Sequence, residues 1–323
     1  GTGFLPVDAF HPPEDAADAA ETLEGRLHLA ATTMHIEPAE PLLYEKIGTR
    51  LDLFPAIAAG LRCENGRLLW ESQNAIPGFD DRPGGSYWDV LLQPGRVWSV
   101  PGDDGWSRAA FPFALVNPLE NESYNGLALF GYRAGEVTPV RFQIEQQTAP
   151  FILREYLLGA GTAQASFVPE PVTVRAADSA VIEPWALLES KVGTAALQGF
   201  DAACRSDHLF VSGIDYQGAF HLRNFEGKNG PWPYPAEARL GIWSVTKSAM
   251  AGVAALRLAQ LCGDGVLDER IVDHVPELAD APGWAKVRLR HALSMATGIG
   301  SRLDGYSAQG LDDNGISPGY RSW

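Results

Sequence analysis

Ser244 and Lys247 stand three residues apart in "IWSVTKSAM", a spacing that places a hydroxyl and an amine one turn apart on the same face of a helix. The chemistry this pair offers is nucleophilic. A hydroxyl in the first turn of a helix lies near unpaired backbone N–H groups and the positive end of the helix dipole, which favour the alkoxide that develops during attack. A lysine one turn on can take the serine's proton only when it is neutral, and that requires burial or cationic neighbours. The flanks "LGIW" and "AMAGVAAL" are apolar, so a buried ammonium is compatible with the sequence. A capping serine followed by a solvated lysine would show the same spacing, and about one such tetrapeptide is expected by chance in a chain of this length.

The pair needs a helix to hold it. Met250, Val253, Ala254, Leu258 and Leu261 follow the three-and-four spacing of a buried stripe, and Gly263 and Gly265 supply a stop. Upstream, "HLFVSGI" and "AFHLRNF" flank Asp215-Tyr216-Gln217-Gly218, which predicts a hairpin. Before it, Pro184 occupies a favourable first-turn position for a helix through "WALLESKVGTAALQGFDAACR", with Leu188, Val192 and Ala196 on one stripe.

The first half of the chain has another rhythm. From about residue 24 to 147, short β-like runs alternate with turn chemistry, including Glu64-Asn65-Gly66 and Gln93-Pro94-Gly95-Arg96, both read as hairpin turns. Strands at this spacing predict an all-β domain over residues 1–158, a sandwich or jelly roll. Trp70, Trp88, Trp98 and Trp106 are assigned to its core in preference to a ligand groove, because large aromatics dominate such cores. Residues 159–183, rich in Gly, Ala, Ser and Pro with Pro169 and Pro171 in the middle, read as a linker. The helix-bearing part is then 184–323.

Composition narrows the partners. The 323 residues are 46% hydrophobic with 25 Lys plus Arg against 40 Asp plus Glu, a formal charge of -15. That field repels nucleic acid and anionic membrane surfaces. No apolar run approaches the roughly 20 residues that cross a bilayer. Cys63, Cys204 and Cys262 are far apart, giving neither a disulfide framework nor a metal-ligand spacing. No metal or cofactor is assigned: "LDDNG" with Asp304 upstream lacks the spacing and terminal Glu of a calcium loop. The start "GTGFLPVDAF" has neither Met nor a signal peptide. It reads as a processed or trimmed form, which leaves the compartment open with periplasmic or extracellular export favoured.

The segment "IWSVTKSAMAGVAALRLAQLCGDGVLDERIVDHVPEL" resembles the nucleophile helix and following loop of the serine β-lactamase and penicillin-binding-protein superfamily, in the branch of class C β-lactamases, D,D-peptidases and esterases. The Ser-x-x-Lys helix is followed by Gly265-Val266-Leu267-Asp268, by Val275-Pro276-Glu277, and by "VRLRHALSMATGIGS", in which Arg290, His291, Leu293, Thr297, Gly298 and Ile299 fall in step. By this resemblance, Ser244 is the acylated nucleophile, Lys247 the base or proton relay, and the Ser244 N–H one oxyanion donor. His291 lies where the family starts a structural helix and is read as packing or capping. The implied fold is an α/β serine-hydrolase domain behind the all-β one.

Two family elements are missing. Neither Tyr306 nor Tyr320 has Asn two residues on, and no Lys-Thr-Gly or His-x-Gly strand occurs. The catalytic domain is therefore expected to be incomplete here, its remainder a C-terminal partner of the same polypeptide. Met295 replaces the His of the peptidase-like form, which tilts the expected substrate to a small ester or amide. A D,D-peptidase, a D-amino-acid amidase or a β-lactamase is the nearest alternative. An inactive binding or scaffolding protein is the alternative of another class. A homo-oligomer is compatible with every version.

Overall fold

Along Leu23–Leu29 (β1), buried and half-buried residues alternate strictly, the period-two signature of a strand with one face on a core. Seven further segments of the first half extend β1 into a meander. They are Ile57–Glu64 (β2), Arg67–Trp70 (β3), Asp89–Leu92 with Gly95–Ser99 (β4 and β5), Ser107–Val116 (β6), Ser123–Arg133 (β7), Val140–Gln147 (β8), and Leu158–Ala163 with Ala165–Pro169 (β9 and β10). The computed structural model describes residues 3–37, 48–118, 122–147, 158–174, 180–205, 209–242, 245–281, 283–294 and 296–298. It falls into two compact units, Gly1–Gly241 and Ile242–Trp323. The expected boundary at residue 184 lies inside the first unit.

The meander closes on itself. Pairing runs antiparallel from β1 to β2, β3, β5, β6, β7 and β8. β9 then pairs with β8, while β10 pairs with β1. Only Gln164 separates β9 from β10, and its carbonyl accepts the Ala30 N–H at 2.9 Å. One continuous segment therefore holds both ends of the sheet, which becomes an up-and-down barrel of eight staves when β4–β5 and β9–β10 each count as one. This corrects two expectations. The all-β part is a barrel and not a sandwich or jelly roll, because chain neighbours are sheet neighbours throughout. Residues 159–169 are not linker but the closing stave, their Gly and Ala content serving tight packing and not flexibility.

The Asn65-Gly66 turn forms as expected, both residues at positive φ (49° and 73°), the geometry of a type I′ hairpin. The Gln93–Arg96 turn does not. β4 and β5 both pair with β6, Leu92 opposite Phe113 and Arg96 opposite Ala110, so one more residue is spent on this stave than on its partner. It is a bulge, where Pro94 has no N–H to offer the ladder. At Gly95 a Cβ would lie 2.0 Å from the Ala110 carbonyl oxygen, which is why glycine stands there.

Inside, the barrel is filled. Leu27, Leu61, Trp70, Trp88, Phe111, Phe113, Tyr124 and Phe142 belong to one buried cluster. Phe54 packs on Phe142 with ring centroids 4.5 Å apart and meets Phe113 edge-on at 5.9 Å. The cavity left beside Phe54, Phe113 and Phe142 holds about 10 Å³, roughly one water. An eight-stranded barrel is just wide enough for side chains to fill, and the aromatic side chains described here occupy that space. Trp70, Trp88 and Trp98 are buried. Trp106 is only half-buried, on the outer wall.

Beside the closure runs an ionic seam. Arg26 on β1 donates to both oxygens of Glu71 (2.7 and 2.9 Å) and to Glu170 (2.8 Å). Arg62 donates to Glu24 at 2.9 Å, whose carboxylate also accepts the Val172 N–H at 2.8 Å. The Arg26 hydrogen bonds hold the Glu71 carboxyl below its ordinary range. Since these side chains are partly exposed, the seam gives direction to the closing stave more than stability.

A second cluster lies on the outer wall. Trp98, Ala110 and Leu127 are covered by Val7 and Phe10 from the N-terminal segment and by Phe225, Trp232 and Tyr234. The covering strands are Val211–Tyr216 (β12) and Ala219–Gly227 (β13), an antiparallel hairpin around Gln217 and Gly218 as expected, with Gly230–Pro231 (β14) on β13. Ile182–Pro184 (β11) runs parallel to β13. The helix that follows, Trp185–Val192 (α1), is shorter than expected, because Gly193 at φ 86° ends it and only Leu188 is buried. Glu145 on β8 ties this cover down, accepting the Asn229 N–H at 2.9 Å while its own carbonyl accepts the Lys228 N–H at 2.8 Å. Burial raises the Glu145 carboxyl above its ordinary value of 4.5.

Two outcomes follow from this packing. A Cβ at Gly161 would lie 2.6 Å from Phe142 Cζ, and that ring is wedged among others, so Gly161→Val should cost about 1–3 kcal/mol of unfolding free energy; an unchanged urea midpoint would refute the tight closure. For Glu145, a raised acid pKa means the folded state holds the proton more tightly than the unfolded chain. Its contribution is therefore complete below about 4.5 and is lost as pH rises through the folded value. Glu145→Gln should flatten the fall in stability above that pH, whereas parallel urea profiles for wild type and variant would contradict it.

Candidate active-site segment

The second unit carries the Ser-x-x-Lys pair. Ser244 lies outside the described residues. The backbone is helical at Thr246 (φ -52°, ψ -34°) and continues as a π-helical turn, Lys247–Gly252, then as the α-helix Val253–Cys262 (α2), which ends where Gly263 adopts φ 87°. Lys247 is thus on a helix, as its spacing predicts, and begins the π turn. Such turns recur at functional positions because the extra residue re-aims the side chains around it. Nothing in the residue types announces it.

The side chains depart from expectation. The stripe expected to be buried is exposed, with Met250 at 68%, Val253 at 58%, Leu258 at 45% and Leu261 at 64%. The residues that α2 does bury are Ala255 and Ala259. After the reversal at Gly263 the chain continues as a 3-10 turn, Asp264–Asp268, that packs against α2. Lys247 is exposed as well, so the buried ammonium read from its apolar flanks is not what the structure shows.

Downstream, two of the spaced sequence features are brought together. Arg290, on the short helix Leu289–Leu293 (α3), forms an ion pair with the Asp268 carboxylate, and the Arg288 guanidinium donates to the Asp268 carbonyl. Backbone bonds reinforce the junction, Leu289 N–H to the Glu269 carbonyl at 3.0 Å and Ile271 N–H to the Val287 carbonyl at 2.9 Å. The Gly-x-Leu-Asp turn and the Arg-His segment, 22 residues apart at Asp268 and Arg290, therefore form one substructure. Sequence spacing contained both ends of this pair without showing that they meet. Nearby, Arg270 and Asp273 pair at 2.6 Å, and the Arg270 hydrogen bonds lower the Asp273 carboxyl.

His291 is a cap. Its Nδ1 accepts the Arg288 N–H at 3.2 Å in a capping-box arrangement at the start of α3. The 3-10 turn Pro276–Leu278 carries Pro in its first turn after Val275. Thr297 and Gly298 are described, Gly298 at φ 68°. Met295, Ile299, Asp304, Tyr306 and Tyr320 lie outside the described residues. Among the described residues no group of three His, Cys, Asp or Glu is placed to hold a metal ion, and no helix is long and apolar enough to cross a membrane.

Residues 214–315 match the family model described as Beta-lactamase. The match agrees with the resemblance of this segment to the serine β-lactamase and penicillin-binding-protein superfamily. The match begins inside β12, covers just under a third of the 323 residues, and contains Ser244, Lys247, Asp268, His291 and Arg290. It makes the segment a serine-hydrolase type of sequence. No curated protein and no solved structure matches the chain.

The junction can be measured. Asp268 and Arg290 are each about half exposed, so the coupling energy from a double-mutant cycle of Asp268→Asn and Arg290→Gln should fall below about 1 kcal/mol and shrink with added salt. A coupling of several kcal/mol that ignores salt would mean the pair is buried in solution.

Proposed function

We propose that this protein is a serine hydrolase in which Ser244 is acylated by an ester or amide substrate and Lys247 takes or relays its proton. The observation that carries this reading is the family match across residues 214–315, within which the Ser-x-x-Lys helix, the Gly-x-Leu-Asp turn and the Arg-His segment occur in order. The Asp268–Arg290 pair supports it by joining the second and third of these features.

In the proposed step, the Ser244 hydroxyl oxygen bonds to the substrate carbonyl carbon and its proton passes to neutral Lys247. The tetrahedral oxyanion is held by backbone N–H groups, that of Ser244 among them. Collapse expels the alcohol or amine, which takes a proton from the Lys247 ammonium, and water then releases the acid from the ester. The base role requires Lys247 to be neutral when it receives the proton, which covering by bound substrate favours. The ester or amide preference rests on Met295 in "LSMATGI". Peptidase, D-amino-acid amidase and β-lactamase activities use the same acyl-enzyme and differ in the leaving group.

A fluorophosphonate probe read by intact mass tests the assignment. One adduct is expected on the wild-type protein and none on Ser244→Ala, with labelling of Lys247→Ala slowed by about 10²–10⁴. Absence of an adduct on Ser244 would favour the scaffolding alternative. Initial rates on a p-nitrophenyl ester, a D-alanine amide and a chromogenic β-lactam then rank the substrate classes; the β-lactam turned over fastest would overturn the ester or amide preference.

A further inference from the structure

The half-buried Trp106 leads to a site outside the hydrolase segment. On the outer wall of the barrel a groove of about 250 Å³ is lined by Trp106, Arg108, Leu129, Thr138, Pro139 and Arg141. Its depth depends on Gly131. A Cβ there would stand 3.3 Å from Thr138 Cγ2 and 3.5 Å from Trp106 Cε3, so a larger side chain would fill the space between them. Leu129 on β7 lies directly opposite Arg141 on β8 in register, which sets a guanidinium beside the apolar floor.

Three arginines stand at this groove, Arg108 and Arg141 in its lining and Arg133 over the Trp106 ring. Asp103, the one carboxylate lining the groove among the described residues, is occupied on both oxygens by Arg108, at 2.7 and 2.9 Å. Arg141 donates to the Gly3 carbonyl at 2.9 Å. Arg133 donates to the Asp104 carbonyl at 2.7 Å and lies 4.8 Å over the Trp106 ring. Neither has a carboxylate partner among the described residues. Two guanidinium groups thus flank an apolar strip in a chain of formal charge -15, Arg133 with Glu136 opposite it in register and Arg141 with a backbone carbonyl as its partner.

We propose that this groove binds a small carboxylic acid with an apolar body, its carboxylate on the Arg141 guanidinium and its body against Trp106 and Leu129. A guanidinium fork matches a carboxylate in two parallel hydrogen bonds, and the Trp106, Leu129 and Pro139 lining suits a ring or short chain better than an inorganic anion. The volume, about 250 Å³, is below the roughly 300–1,000 Å³ of pockets for drug-sized ligands, which limits the ligand to a small acid. This site does not depend on the hydrolase reading.

Phenylacetate is a suitable probe, titrated by saturation-transfer NMR against the full chain, with phenylacetamide and inorganic phosphate as comparisons. Saturable binding of phenylacetate is expected, about tenfold tighter than phenylacetamide, the scale of a charge-assisted hydrogen bond. Arg141→Gln, a change at a half-exposed position, should remove that preference, Gly131→Val should abolish binding, and Ser244→Ala should leave it unchanged. Equal affinity for acid and amide, affinity unchanged in Arg141→Gln, phosphate binding as tightly as phenylacetate, or no saturable binding would each overturn the proposal.

Discussion

The fold of the first unit depends on one segment satisfying two partners. Residues 158–169 must hydrogen-bond β8 with their first half and β1 with their second. Until they do, the meander has two open edges, and an open edge is a row of unpaired N–H and C=O groups. Closure removes both edges at once and encloses the aromatic core. The small residues of this stave make that possible: at Gly161 the space a side chain would need is already taken by the Phe142 ring. The ion pairs of Arg26 and Arg62 then fix where the chain leaves the barrel.

These same small residues explain why part of the fold could be read from sequence and part could not. Turns with their own chemistry were legible, as at Asn65-Gly66 and Gln217-Gly218, because positive φ selects a narrow set of residues. Burial of Trp70, Trp88 and Trp98 was legible from their size. The closing stave was not, since Gly, Ala and Ser carry the same signal in a flexible linker as in a strand crowded by aromatic rings, and only the location of the rings distinguishes them. Pro94-Gly95 misled in the opposite direction, because a bulge and a turn recruit the same residues.

In the second unit, sequence order disclosed more than helical periodicity did. The stripe through Met250 and Leu261 implied burial on that face, yet α2 packs through Ala255 and Ala259. A helix apolar around most of its circumference satisfies any stripe one chooses, so periodicity lost its power to discriminate. The ordered features from Ser244 to Gly298 carried information of another kind, and the Asp268–Arg290 contact gives two of them a physical relation. For the candidate site itself, the residue types were readable, while the π turn that begins at Lys247 and the exposure of its side chain were not.

Glu145 has a bearing on how this protein can be divided. The family match begins at residue 214, whereas the first compact unit ends at Gly241, and the stretch between them is the cover that Glu145 holds over Trp98 and Leu127. The matched segment and the first structural unit therefore overlap over residues 214–241. A recombination crossover at residue 214 would carry off part of the barrel's own outer layer and bare an aromatic patch. One placed after Gly241 would respect the packing on the barrel side, so for gene fusion or shuffling the modular joint of this protein is not where the family match begins.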